Sequence, residues 1–252
     1  MTRREQMLRE MGLAPLWRRR NQAEAADLTI AQVEKSTEPV GYSDPTGAPE
    51  AESAAERAQR VAAMSWDELK ASVAECRACA LCQQRKQAVL GVGDVAADWL
   101  FVGEGPGAEE DERGEPFVGQ AGKLLDAMLA AIKIKRGQGV YIANTVKCRP
   151  PGNRTPEKGE IAACFPYLLR QIELLQPKLI VALGKPAAES LLNTEVKVGA
   201  ARGKLFDFQR IPLIVTYHPA YLLRTLNDKA KAWEDLCFAR RTMESLNSGQ
   251  PA

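Results

Sequence analysis

Six cysteines and a single histidine are the side chains best suited to chemistry in this chain. Cys76 and Cys79 are spaced C-x2-C, and Cys148 and Cys164 are spaced C-x15-C. A C-x2-C pair alone suits zinc, a redox couple or half of a cluster site. Two pairs that bracket a domain point to a site of four thiolates. With one histidine in the chain, a zinc site would have to be all cysteine. Zinc and an iron–sulfur cluster both accept such ligation, and the spacing does not choose between them. Cys82 extends the run to C-x2-C-x2-C and reads as a bystander. Cys237 reads as a buried thiol on the last helix.

The other candidates stand in short segments. Gly103-Glu104-Gly105-Pro106-Gly107 is followed by Glu109, Glu110, Asp111 and Glu112. So many glycines imply a sharp turn or a close approach of backbone to a ligand. A phosphate loop is disfavoured, because no G-K-[ST] follows and the carboxylates would repel phosphate. Carboxylates beside a tight backbone suit positioning a water or stabilising a cation; a glycine turn with a solvated acidic face is the plain alternative. Phe117, between Pro116 and Gly119, is placed either to stack on a flat base or to fill the core. Asn144 offers one acceptor and two donors in a fixed plane, or caps a turn. His218 precedes a proline-containing loop, where a histidine either does chemistry or packs.

These segments follow apolar runs, and the runs predict what positions them. Strands are expected at 98–103, 139–146, 178–183 and 212–217, and helices at 119–135, 156–175, 185–193 and 227–246. Short apolar strands alternating with helices predict an α/β fold: a parallel sheet between helices, three layers α/β/α. In such sheets ligands sit off the carboxyl ends of the strands, which is where Glu104, Asn144 and His218 fall. Ser65 with Glu68 predicts a capping box that opens a helix to about Ala74.

Residues 21–63 hold few large apolar side chains and are expected to be a disordered or weakly helical linker, with transient helix at 50–63. Residues 4–20 carry a weak apolar face interrupted by Gly12 and Pro15. They read as a docking peptide for an unknown protein or DNA, or more plainly as a loose tail. The expected organisation is an extension over 1–63, one domain over 64–247 and a disordered tail over 248–252. No run of 18 apolar residues and no secretion signal is evident, so a soluble, cytoplasmic chain is expected. Cysteines in such a compartment argue against a disulfide framework. The net charge of +2 says little about partners, since a local basic patch suffices for nucleic acid.

Taken in chain order, C-x2-C, GEGPGAEED, PFVGQAGKLLD, NTVKCRPPGNRTP, ALGKPAAESLL and YHPAYLLR resemble the family-4 uracil-DNA glycosylases over roughly residues 70–245. The resemblance implies a four-stranded parallel sheet between helices. It also implies a 4Fe–4S cluster held by Cys76, Cys79, Cys148 and Cys164. The uracil-contacting positions fall on Glu104, Gly105, Phe117, Asn144 and His218, and Glu110 takes the acidic position of the first motif. A related branch that traps itself on uracil uses a histidine in an inserted loop; here Pro151 runs directly to Thr155 without one.

The implied chemistry is extrusion of uracil from the stack and hydrolysis of its glycosidic bond, which leaves an abasic site. Phe117 would stack on the base, Asn144 would read O4 and N3–H, and His218 would donate to O2. Glu104 and Glu110 would orient water or stabilise the sugar cation. Tyr221 or Leu222 would wedge the gap, and Arg149, Arg154, Lys158, Arg224 and Lys229 would meet phosphates. No lysine stands out as a Schiff-base nucleophile, so base removal without strand cleavage is expected. The cluster is expected to brace the loop after Asn144. The partner is uracil-containing DNA, single or double stranded, and the chain is expected to act as a monomer. A competing reading is a non-catalytic Fe–S or zinc module that binds nucleic acid; another is an enzyme for a different damaged base, such as hypoxanthine.

Overall fold

The structure, a computed structural model, describes residues 52–249. Strands β1 (Val92–Gly93), β2 (Trp99–Gly103), β3 (Val140–Asn144), β4 (Leu179–Leu183), β5 (Leu205–Phe208) and β6 (Ile211–Thr216) form one sheet in the order β1-β3-β2-β4-β6-β5. The central four are parallel, as their uninterrupted apolar character requires: β2, β3 and β4 are buried along their whole length. The expected four-stranded sheet is thus the centre of a mixed one. The additions are antiparallel edges, β1 on β3 and β5 on β6. The β5–β6 hairpin turns at Gln209 and Arg210, both at positive φ (50° and 72°), the geometry that two-residue hairpins use. Neither residue is the glycine or asparagine that would have signalled it.

Each face of the sheet buries its own core. On one side Leu100, Val102, Ile180 and Val215 pack against Leu168 and Ile172 of α5 (Lys158–Leu175) and Leu191 of α6 (Lys185–Leu192). On the other, Phe101, Ile142, Val181 and Ile214 pack against Leu125 and Leu129 of α4 (Gln120–Ala131) and Leu236 and Met243 of α9 (Lys229–Ser248). A fully buried leucine contributes about 1.5–3 kcal/mol, so these layers dominate the stability of the sheet.

A third cluster holds α1 (Ala54–Ala62) and α2 (Trp66–Glu75) against α5: Val61, Leu69 and Val73 pack with Val146, Cys148, Cys164 and Tyr167. The Ser65–Glu68 capping box forms, with Ser65 N–H donating to Glu68 at 2.8 Å. The segment 54–62, expected as linker, is a packed helix. Ser53 and Glu56 form their own capping box, Val61 is fully buried, and Arg57 donates to the Ala163 carbonyl at 3.2 Å. One apolar anchor and a good cap order the helix that the sequence suggested only as transient. The extension before residue 52 and the tail from 250 lie outside the described residues. Among the described residues, no helix is long and apolar enough to cross a membrane.

The strand order reverses at β2. The chain leaves β2 for β3 on one side and then places β4 on the other, so the crevice at the carboxyl ends opens there.

Candidate active site and thiol cradle

Five cysteines converge on one small cavity between α2, the loop after β3 and α5. Cys76, Cys79, Cys82, Cys148 and Cys164 line it with Val73, Arg85, Lys147 and Tyr167. Cys76 is the C-cap of α2, Cys79 opens a 3-10 turn, and Cys164 sits inside α5. The four cysteines paired by spacing are therefore together, and Cys82 stands with them. Burial pushes the Cys164 thiol up to about 12, and also raises Cys148 and Cys79. Thiols so buried deprotonate only against positive charge. Arg85 supplies such a charge, donating to Cys148 Sγ at 2.9 Å, and the Lys147 backbone N–H donates to Cys164 Sγ at 3.3 Å. No three His, Cys, Asp or Glu side chains among the described residues stand close enough to share one ion. The donor set lining the cavity is thiol-only, which zinc and an iron–sulfur cluster both accept.

At the carboxyl edge of the sheet a pocket of about 640 Å³ is lined by the segments that follow all four parallel strands. Glu104, Gly105 and Gly107 come from the end of β2, Asn144 from β3, Gly184 and Lys185 from β4, and His218 and Arg224 from β6. Gly103 and Asn144 are in register at the ends of paired strands. Asn144 is 2% exposed, and its Oδ1 is buried without a hydrogen-bond partner. A buried amide oxygen left unpaired costs about 1–3 kcal/mol, which a ligand N–H would recover.

Phe117 borders the same space, held at positive φ (55°) with its ring 5.4 Å from the His218 ring. Two features hold this strained backbone. Arg136 donates to the carbonyls of Pro116 and Phe117, both at 2.8 Å. Gly122 lets α4 approach so closely that a Cβ there would stand 1.8 Å from the Phe117 carbonyl oxygen.

His218 is the N-cap of α8 (Pro219–Arg224), and its Nδ1 accepts the Ala220 N–H at 3.1 Å. That bond assigns the proton of a neutral ring to Nε2. Burial, then the Arg224 guanidinium, pushes the imidazole down to about 4. Gly184 at φ 88° gives His218 its seat: a Cβ there would be 2.9 Å from His218 Cβ.

The two glutamates differ. Glu110, in α3 (Ala108–Arg113), accepts N–H bonds from Gly107 at 3.1 Å, Val118 at 2.9 Å and Gly119 at 3.0 Å. Its carboxylate ties the glycine loop to the Phe117 loop. Glu104 is half-buried, and burial raises its carboxyl above the ordinary value of 4.5 against a bond from Thr155 that lowers it.

At the rim the geometry departs from expectation. Residues 219–224 are a helical turn, so successive side chains face different ways. Leu222 is 1% exposed and belongs to the core, whereas Leu223 and Leu226 are 41% and 62% exposed. Tyr221 is tied down as well, donating to Asp228 at 2.6 Å and stacking on Tyr217 at 5.1 Å. Leu222 is packed in the core and Tyr221 is held by Asp228 and Tyr217, which leaves Leu223 and Leu226 as the exposed apolar side chains of this rim. Arg154 is likewise committed: its guanidinium forks onto the buried Glu160 at 2.8 and 2.6 Å. Arg149 donates to Asn153 Oδ1 at 2.7 Å. Lys158, Arg224 and Lys229 are exposed, and Arg224 lines the pocket.

The sequence marked Gly103 as part of its glycine run but did not single out Gly184, Arg136 or Lys147. The glycines had a signal, each closing an apolar strand; Arg136 and Lys147 had none.

The sequence profile of the uracil DNA glycosylase superfamily matches residues 90–237. A type-4 uracil-DNA glycosylase of Pyrobaculum aerophilum is 43% identical over 169 residues, 64% of this chain and 86% of that protein. One from Archaeoglobus fulgidus is 42% identical over 167 residues, 63% and 83% respectively. One from Thermotoga maritima is 45% identical over 161 residues, again 63% and 83%. The chain belongs to the uracil DNA glycosylase superfamily and, within it, to the type-4 branch.

Proposed function

We propose that this chain removes uracil from DNA by hydrolysing the N-glycosidic bond, leaving an abasic site and an intact strand. The unpaired Oδ1 of Asn144 carries the reading. It is a buried acceptor at the crevice, beside an aromatic ring, in a member of this superfamily. It would accept N3–H of an extruded uracil while Nδ2 donates to O4. Cytosine presents the reversed pattern and would leave buried groups unpaired.

Phe117 provides a face for the base, and its locked backbone fixes the plane. His218, neutral with its proton on Nε2, donates to O2 as negative charge grows on the departing base. A neutral donor suits an anionic leaving group, because the proton stays with the imidazole. Glu104, half-buried and not tied to backbone amides, orients the attacking water and faces the cationic sugar. Glu110 positions the loops. Gly105 lets the backbone approach the base. The exposed Leu223 and Leu226, not Tyr221 or Leu222, fill the gap left in the stack. Arg224, Lys158 and Lys229 meet phosphates, with Arg149 beside them; Arg154 holds its loop through Glu160.

Cys76, Cys79, Cys148 and Cys164 would hold a 4Fe–4S cluster, which supplies a structural brace for the loop after β3 and takes no part in the bond cleavage. The chain acts as a monomer on uracil-containing DNA within the cell. In the test, anaerobically purified protein is incubated with uracil-, cytosine- and thymine-containing oligonucleotides, and alkali then reveals abasic sites. Cleavage confined to the uracil strand, and lost in Asn144→Ala and His218→Ala, is expected. Iron-loaded protein that binds the uracil strand yet yields no abasic sites would leave only a binding module.

A further inference from the structure

One residue of the thiol cradle reaches a residue of the pocket, and neither site needs it for its own chemistry. Lys147 is 1% exposed, between the end of β3 and Cys148. Its Nζ donates to the Asn144 carbonyl at 2.8 Å and to Gln171 Oε1 at 2.5 Å. Its backbone N–H donates to Cys164 Sγ at 3.3 Å. Gln171 is also fully buried and continues the chain, donating through Nε2 to the Leu90 carbonyl at 3.0 Å and to the Tyr141 hydroxyl at 3.2 Å.

A buried ammonium is expensive, and a methionine or leucine would fill the same volume without that cost. The cost is offset only by what the ammonium holds. Here that is a carbonyl of the very residue whose side chain ends unpaired at the pocket. The three residues after Asn144 leave the strand, with Thr145 and Val146 donating backbone N–H bonds to the Gly103 and Glu104 carbonyls at 3.0 and 3.2 Å. The ammonium closes this turn from inside, and the same residue's amide fastens it to the cradle.

We propose that Lys147 is a positioning residue that locks the Asn144 amide to the thiol cradle, so that the integrity of the cradle sets the orientation of the base-reading group. This inference rests on the glycosylase reading above. It gives the cradle a role in catalysis without any redox step: a rigid anchor for one end of the Lys147 strut.

The test uses full-length wild type, Lys147→Met, Lys147→Arg and Gln171→Met, each measured for iron per chain, melting temperature and single-turnover uracil release at saturating enzyme. Lost folding lowers the amplitude of release, whereas a misplaced Asn144 lowers the rate constant of the folded fraction. In Lys147→Met the rate constant should fall about tenfold or more, the scale expected for groups that orient binding residues. Lys147→Arg, which keeps donors to both oxygens, should recover much of it. Gln171→Met keeps the ammonium but frees one of its anchors; it should lower the same constant less, and it decides the matter if Lys147→Met fails to fold. A rate constant within about twofold of wild type in the folded variants, with only amplitude reduced, would overturn the proposal. Wild type that releases no uracil would instead remove the glycosylase reading, and this inference with it.

Discussion

The Cβ that Gly103 lacks would stand 2.5 Å from Asn144 Oδ1 and 2.5 Å from Phe117 Cζ. The glycine therefore leaves open the space in which the Asn144 amide, proposed to read the base, meets the Phe117 ring proposed to support it. Its φ is not left-handed, so an added methyl costs through contact and not through backbone strain. Gly103→Ala should fold at an overpacking cost of about 1–3 kcal/mol and lose about a hundredfold in single-turnover rate, the scale of a 1 Å misplacement. Native activity in that variant would mean that Asn144 and Phe117 have room to move.

The pH profile separates two groups. The folded His218 lies near 4, below the ordinary 6.5, so the folded state favours the neutral ring. Stability from this group is complete above 6.5 and is lost as pH falls from 6.5 towards 4, because the unfolded chain takes the proton first. Single-turnover rates should accordingly show no inflection from His218 near neutral pH. The acid limb should instead report Glu104, at a value above the ordinary 4.5, and vanish in Glu104→Gln, whose residual rate is low and flat. An acid limb that persists unchanged in Glu104→Gln would assign it elsewhere.

The leucines of the 219–226 segment should divide by exposure. Leu222→Ala should cost about 2–5 kcal/mol in urea unfolding, as buried leucine truncations do. Leu223→Ala and Leu226→Ala should cost under about 0.5 kcal/mol each, as surface changes do. Together the latter two should slow release from duplex DNA while sparing single strands, which need no gap filled. Equal loss on both substrates would rule out the wedge.

The arginines divide in a similar way. Arg224→Ala should weaken DNA binding evenly across sequences and reduce the slope of log affinity against log salt by about one. Arg154→Ala should leave that slope unchanged but lower the melting temperature, since it strands the Glu160 carboxylate, 8% exposed, without its partner. A reduced slope in Arg154→Ala would return it to the phosphate contacts.

The central sheet, the four paired thiols and the pocket were legible because each rests on a local pattern. Continuous apolar runs such as LIVAL announce buried parallel strands, and Asn144 and His218 stand at their ends. What was not legible depends on contacts distant in sequence. Glu110 reads as a reactive acid beside a glycine loop, yet Val118 and Gly119 bind its Oε1 and Gly107 its Oε2. Leu222 and Leu223 are equivalent as letters, and only the helical turn decides which one is buried. Arg154 pairs with Glu160 six residues on, and Lys147 with Gln171, which no periodicity reveals. Helix 54–62 was legible only as a transient one, because its composition is polar and its one anchor, Val61, finds its partners on α5.

The most direct measurement is free base in solution. Iron-loaded protein is incubated with a duplex carrying one uracil, and the released base is quantified by chromatography before and after alkali treatment of the DNA. One free uracil per abasic site, with the strand intact until alkali is added and no release from Asn144→Ala, is the predicted result. Tight binding of the uracil duplex with no free base would contradict the account.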